Sequence, residues 1–125
     1  MIGQHRASPF ALAAFLLAGC AGDPYRLDSP RSAAGVELGP YAIYEECVAL
    51  ESGNVIDYYF TSAAPVAFNL HYHDANAVIM PIIRERVTQD SGIFTADRKQ
   101  VYCLMWEAGA EATLLDYRIR ALPAR

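Results

Sequence analysis

The stretch Val101-Tyr102-Cys103-Leu104-Met105-Trp106 decides how the rest of this chain reads. Its six residues are apolar on both faces, rich in β-formers and free of Gly and Pro. A strand of that kind has protein on both sides, so it is expected at the centre of a sandwich core. Side chains alternate along a strand. Cys103 and Met105 therefore share one face, and Tyr102, Leu104 and Trp106 share the other.

Outward from this strand, short β-like runs alternate with turn chemistry, and nothing holds a 3.6-residue period. Thr113 to Arg120 follows it, with Thr113, Leu115, Tyr117 and Ile119 facing in and Asp116, Arg118 and Arg120 facing out. Before it come Tyr41–Leu50, the turn Ser52-Gly53-Asn54, and Val55–Ser62. Ala63-Ala64-Pro65 reads as a break, and Val66–His73 as the next strand, with Val66, Phe68, Leu70 and Tyr72 on its apolar face. Asp74-Ala75-Asn76 turns into Ala77–Ile83, extended on to Thr88. Asp90-Ser91-Gly92 reads as another turn before Ile93–Thr95. Pro81 interrupts its run and belongs at an edge or a bulge, where no ladder donor is missed. The economical fold is all-β, an antiparallel β-sandwich of seven or eight strands over residues 40–125.

The first 19 residues stand apart. His5 and Arg6 precede an apolar run from Phe10 to Ala18, nine residues long. That is a charged leader and a hydrophobic segment too short to span a bilayer. Leu17-Ala18-Gly19-Cys20 then resembles the lipobox of bacterial lipoproteins, which implies cleavage before Cys20 and its lipidation. Several acyl chains would anchor stably, each buried methylene contributing about 0.8 kcal/mol. Ala21 and Gly22, with no Asp after the cysteine, imply by the same resemblance sorting to the outer membrane, facing the periplasm. From Cys20 to about Gly39 the chain is rich in Ala, Gly, Asp, Pro, Ser and Arg without apolar period. It reads as a flexible tether.

Ten Lys and Arg stand against 14 Asp and Glu, a net charge of −4. A mildly acidic domain in the cell envelope is no nucleic-acid binder. Its expected contacts are the membrane, through the N-terminal lipid, and an envelope protein or lipid. In an oxidising compartment the remaining pair, Cys47 and Cys103, is expected to form a disulfide; two separately buried thiols are the alternative.

Four segments in order resemble the GOLD domain, a β-sandwich of secretory-pathway cargo receptors and lipid-exchange proteins. They are Phe68-Asn69-Leu70-His71-Tyr72-His73, Ile79-Met80-Pro81-Ile82-Ile83-Arg84, Gly92-Ile93-Phe94 and Tyr102-Cys103-Leu104-Met105-Trp106. Tyr102, Leu104 and Trp106 match the Tyr-x-Leu-x-Trp of the lipid-exchange branch most closely. Gln100 replaces a usual Gly, and no Asp-Asn follows Trp106. The resemblance implies a GOLD-like fold and a general binding role, since fold does not fix function.

His71-Tyr72-His73 is the best chemical candidate. Residues two apart in a strand point the same way, so both imidazoles share a face. Two histidines can begin a zinc or copper site, with Asp74, Glu85, Glu46 and Met80 as available further donors. The plain alternative is a polar strand face. Ser52, Ser62 and Ser91 lie in or beside turns, without a nucleophile elbow, and no Gly-rich phosphate loop is present. Glu45-Glu46 places one acid on each side of its strand. Tyr58, Tyr72 and Tyr117 are expected in the core, and Tyr44 and Tyr59 on the surface. The sequence thus reads as a lipid-anchored envelope protein, not an enzyme and without a required cofactor, acting as a binding or structural module. The alternative is a periplasmic zinc or copper binder using His71 and His73.

Overall fold

The computed structural model describes residue 19 and residues 22–123. The leader up to Ala18, and Cys20 itself, lie outside the described residues. Six strands follow one another: β1 (Arg31–Leu38), β2 (Ile43–Leu50), β3 (Val55–Asp74), β4 (Ala77–Thr95), β5 (Gln100–Ala108) and β6 (Thr113–Leu122). All pairings between them are antiparallel, in the order β1-β6-β3-β5-β2, with β4 paired to β3.

The architecture turns on the length of β3. Its first part, Val55–Ser62, pairs with β6, and its later part, Val66–His71, pairs with β5. β4 runs along the opposite edge of both parts. Between Thr61 and Val66 the register slips, and the β3–β4 hairpin carries the sheet over onto itself. The two halves then face each other. Trp106 of β5 stacks on Tyr117 of β6 at 5.1 Å between ring centroids, and Tyr44 of β2 lies 5.6 Å from Tyr117. Phe60 and Phe68, from the two parts of β3, complete the aromatic centre around Trp106. Tyr102, Leu104 and Trp106 are wholly buried there, on the face their alternation predicts.

Among the described residues the expected seven or eight strands are six, because two expected breaks do not reverse the chain. Ala63-Ala64-Pro65 falls inside the register slip, where the ladder is already interrupted and the missing Pro65 N–H costs little. Pro81 likewise sits on the edge strand, within the irregularity between Ile82 and Ile79, as its lack of a donor requires. Asp90-Ser91-Gly92 continues β4 in place of turning. Gly92 lies directly opposite Tyr58, whose ring rests over it; a Cβ there would come within 2.8 Å of that ring. The glycine is needed for close approach, not for a turn. Gly92→Ala is therefore expected to lower stability by about 1–3 kcal/mol, read from the denaturation midpoint. An unchanged midpoint would show that Tyr58 does not rest on this position.

The tether expected over residues 20–39 ends earlier than its composition suggests. Arg31–Leu38 forms β1 against β6, with Ala33 and Val36 half-buried and Leu38 buried. Gly35, at φ 67°, sits in a register shift between Ala33 and Val36, which breaks the two-residue period. Arg31 ties this strand across the fold. Its guanidinium donates to Glu46 Oε1 and the Cys47 carbonyl, each at 2.7 Å, and to the Pro24 and Arg26 carbonyls. The Ala49 N–H donates to the Tyr25 carbonyl at 2.7 Å, so the chain joins the edge of β2 well before Pro40.

Candidate functional site

The outer face of β2, β5 and β3 holds the most concentrated chemistry. Register places Cys47, Cys103 and His71 in one row straight across the three strands. Glu45, Met105 and Asn69 form the neighbouring row. Cys47 and Cys103 are directly opposite each other, with Cα atoms 4.0 Å apart, and are joined as a disulfide. This is the pairing expected from the chain's even count of cysteines beyond Cys20.

His71 is only 4% exposed, less solvated than a polar strand face would be. Its Nδ1 lies 2.7 Å from Asn69 Oδ1, and a carbonyl oxygen can only accept. Nδ1 therefore carries the proton and Nε2 keeps a free lone pair. Burial pushes the imidazole pKa down, opposed by Glu45 and assisted by His73, whose ring lies edge-on 5.3 Å away. A histidine depressed in the folded state contributes stability above its unfolded pKa, near 6.5, which is lost as pH falls through and below that value. The metal-free protein, in the presence of a chelator, is therefore expected to lose melting temperature between pH 7 and 5. His71→Asn should flatten that part of the profile, and an equal slope in both proteins would contradict it.

The two histidines come together as alternation predicts, but the further donors considered with them do not. Glu46 faces the interior, accepting from Tyr117 Oη at 2.9 Å and pairing with Arg31. Asp74 pairs with Arg98 at 3.5 Å. Glu85 is exposed on β4, as is Met80. The carboxylate beside His71 is Glu45, as expected on the opposite side of its strand from Glu46. Sequence spacing gave no sign of it, because a 26-residue gap is closed only by the β2–β5–β3 register. Tyr44 also departs from expectation. It shares parity with the buried Val48 and Leu50, so it packs on Trp106 and meets Tyr117 Oη at 3.0 Å. Tyr59 is exposed as expected, and Tyr58, Tyr72 and Tyr117 are buried.

The second feature of this side is the edge strand β4. Among the described residues it pairs only with β3, and most of its residues are exposed. Val78, Ile79, Met80 and Ile83 are 47%, 38%, 43% and 54% exposed. Val78 and Ile83 stand opposite His73 and Asn69, so these two border the histidine face, while Ile79 stands opposite the buried Tyr72. A separate open cleft of about 820 Å³ lies by the N-terminal segment, lined by Leu27, Leu50, Val55, Val101 and Lys99 among others.

These features define an all-β protein of one curled antiparallel sheet, cross-linked between adjacent strands and carrying a long exposed edge. Among solved structures it is similar to Aeromonas hydrophila PliG, a periplasmic lysozyme inhibitor of g-type lysozyme. The TM-score is 0.55 over 74% of this chain and 86% of that one, at 10% sequence identity, a likeness of fold alone. No family model matches the chain, and no curated protein matches it in sequence.

Proposed function

We propose that this is a lipid-anchored protein of the bacterial cell envelope, held in the outer membrane by Cys20 and facing the periplasm. It acts there as a non-enzymatic module that binds a protein partner. The observation that carries the reading is the β4 edge. A long edge strand with unpaired backbone groups and clustered apolar side chains is a template for another chain unless it is covered. Val78, Ile79, Met80 and Ile83 make such a patch on an otherwise mildly acidic protein. The lipobox supports the anchor. The GOLD-like segments and the fold shared with PliG both support binding in preference to catalysis.

The fold likeness makes a lysozyme the first partner to try. Purified protein in detergent is added to a g-type lysozyme, and to a c-type one, and lysis of a cell-wall suspension is followed. Stoichiometric loss of lysis is expected with the native chain and not with a Met80→Asp/Ile83→Asp double variant. Undiminished lysis, together with separate elution of the two proteins on size exclusion, would rule out that partner.

A further inference from the structure

We infer that Glu45, Cys47, His71 and Cys103 form a latent metal site, opened by reduction of the Cys47–Cys103 disulfide and taking a zinc-class divalent cation. This set differs from one built on His71 with His73, because its sulfur ligands exist only after reduction.

The geometry gathers the four residues on the outer face of β2, β5 and β3, with Glu45 exposed and His71 and Cys103 buried. Glu45 Oε1 lies 3.1 Å from Cys47 Sγ. Donor atoms of Glu45, His71 and Cys103 all fall within 4.8 Å of one another. With metal bonds of about 2.0–2.3 Å, the ligand atoms of a tetrahedral ion sit roughly 3.3–3.8 Å apart. Side-chain rotation closes that difference for Glu45, His71 and Cys103, and Cys47 Sγ, which lies outside this cluster of three, swings in once it is no longer bonded to Cys103. Two sulfurs, one imidazole and one carboxylate are a donor set that suits zinc.

The surroundings of His71 are those of a ligand already oriented. Metal-bound imidazoles characteristically give their other N–H to a nearby oxygen, which fixes tautomer and ring direction. Asn69 does this at 2.7 Å, leaving Nε2 as the free donor. Asn69 and His71 are two residues apart on one strand, so the orientation is set by β3 itself.

The chemistry balances with a dithiol as reductant. The dithiol supplies two electrons and two protons, the S–S bond breaks to two thiols, and the reductant leaves as its own disulfide. Metal binding then displaces both thiol protons to solvent, since the thiolate is the ligand. A small-molecule disulfide as oxidant runs the exchange backward: it takes two electrons from the two thiolates and two protons from solvent to become a dithiol, the S–S bond re-forms and the ion is expelled. The site is therefore closed in an oxidising compartment and opens with thiol supply.

The test uses the full chain in detergent, cobalt(II) as probe, and a phosphine reductant that takes the disulfide to thiols by becoming the phosphine oxide. Reduced protein should bind one cobalt per chain with a thiolate-to-metal charge-transfer absorption, and its melting temperature should rise. Oxidised protein should show neither. His71→Ala and Glu45→Gln should each weaken binding at least tenfold, and Asn69→Ala, which leaves all four ligands, about 10–100-fold. Circular dichroism separates folding from binding. A reduced chain that loses its β signal and regains it with cobalt supports the site; one that stays unfolded with cobalt overturns it. Equal cobalt binding by the oxidised protein, or by the reduced His71→Ala variant, overturns it as well.

Discussion

Trp106→Ala is expected to destabilise the protein by about 3–5 kcal/mol, the range for emptying a large aromatic from a core. Trp106 is 1% exposed and sits where the folded-over halves of the sheet meet. Its ring touches β2 through Tyr44, β3 through Phe60 and Phe68, and β6 through Tyr117. No nearby side chain can collapse into the space without unstacking one of these rings. Trp106→Phe makes the cost diagnostic. The indole Nε1 has no hydrogen-bond partner among the described residues, so this replacement forfeits volume and no hydrogen bond. It should cost far less than the alanine variant, roughly 1–2 kcal/mol. Chemical denaturation followed by circular dichroism measures both, since the chain has a single Trp and fluorescence is lost with it. Equal losses in the two variants would mean that the N–H, not the packing, holds the centre together.

Removing the disulfide is the other large effect. Cys47 and Cys103 are 56 residues apart in sequence, and cross-linking so long a loop restricts the unfolded chain. The chain-entropy description gives roughly 4 kcal/mol, and measured native disulfides commonly contribute about 2–4 kcal/mol. The Cys47→Ala/Cys103→Ala variant should therefore unfold at clearly lower denaturant, with an altered dependence on denaturant because its unfolded state is less compact. Reductant should move the native protein the same way and leave the variant untouched. If the native protein and the variant unfold together, the bond contributes nothing to the fold.

The parts of this fold written in local alternation were legible from sequence. In β5 and β6, each residue's side of the sheet follows from its parity, and burial agrees from Tyr102 to Trp106 and from Thr113 to Ile119. What escaped was set by distant partners. β1 hides in Arg-Ser-Ala-Ala-Gly-Val-Glu-Leu, where small residues and the Gly35 irregularity blur the period. It is held by β6 and by the Arg31 guanidinium bound to Glu46, which no local window contains. The two long strands were cut short for a related reason. Pro65 and Gly92 carry turn chemistry in any local reading, yet one occupies a slip in the ladder and the other a place beneath the Tyr58 ring.

The candidate site divides in the same way. That His71 and His73 share a face follows from two-residue spacing alone, and the disulfide from a count of cysteines and an oxidising address. That Glu45 joins His71, and that Asn69 fixes the ring, depends on which strands neighbour which. Sequence marked the Ala77–Ile83 run for an edge or a bulge, because Pro81 has no ladder donor, but gave no sign that its apolar side chains would be exposed. Among the described residues nothing covers that edge, and this mismatch between apolar composition and exposure is what points to a partner.

The proposed role therefore rests on β4 being covered in the cell. A photo-reactive amino acid placed at Ile83, and separately at Leu114 on β6, tests this in the organism that makes the protein; both positions are at least 50% exposed. The expected result is a discrete higher-mass product after irradiation of the Ile83 variant, sensitive to Met80→Asp, and none from Leu114. No product from Ile83, or the same products from both positions, would contradict the account.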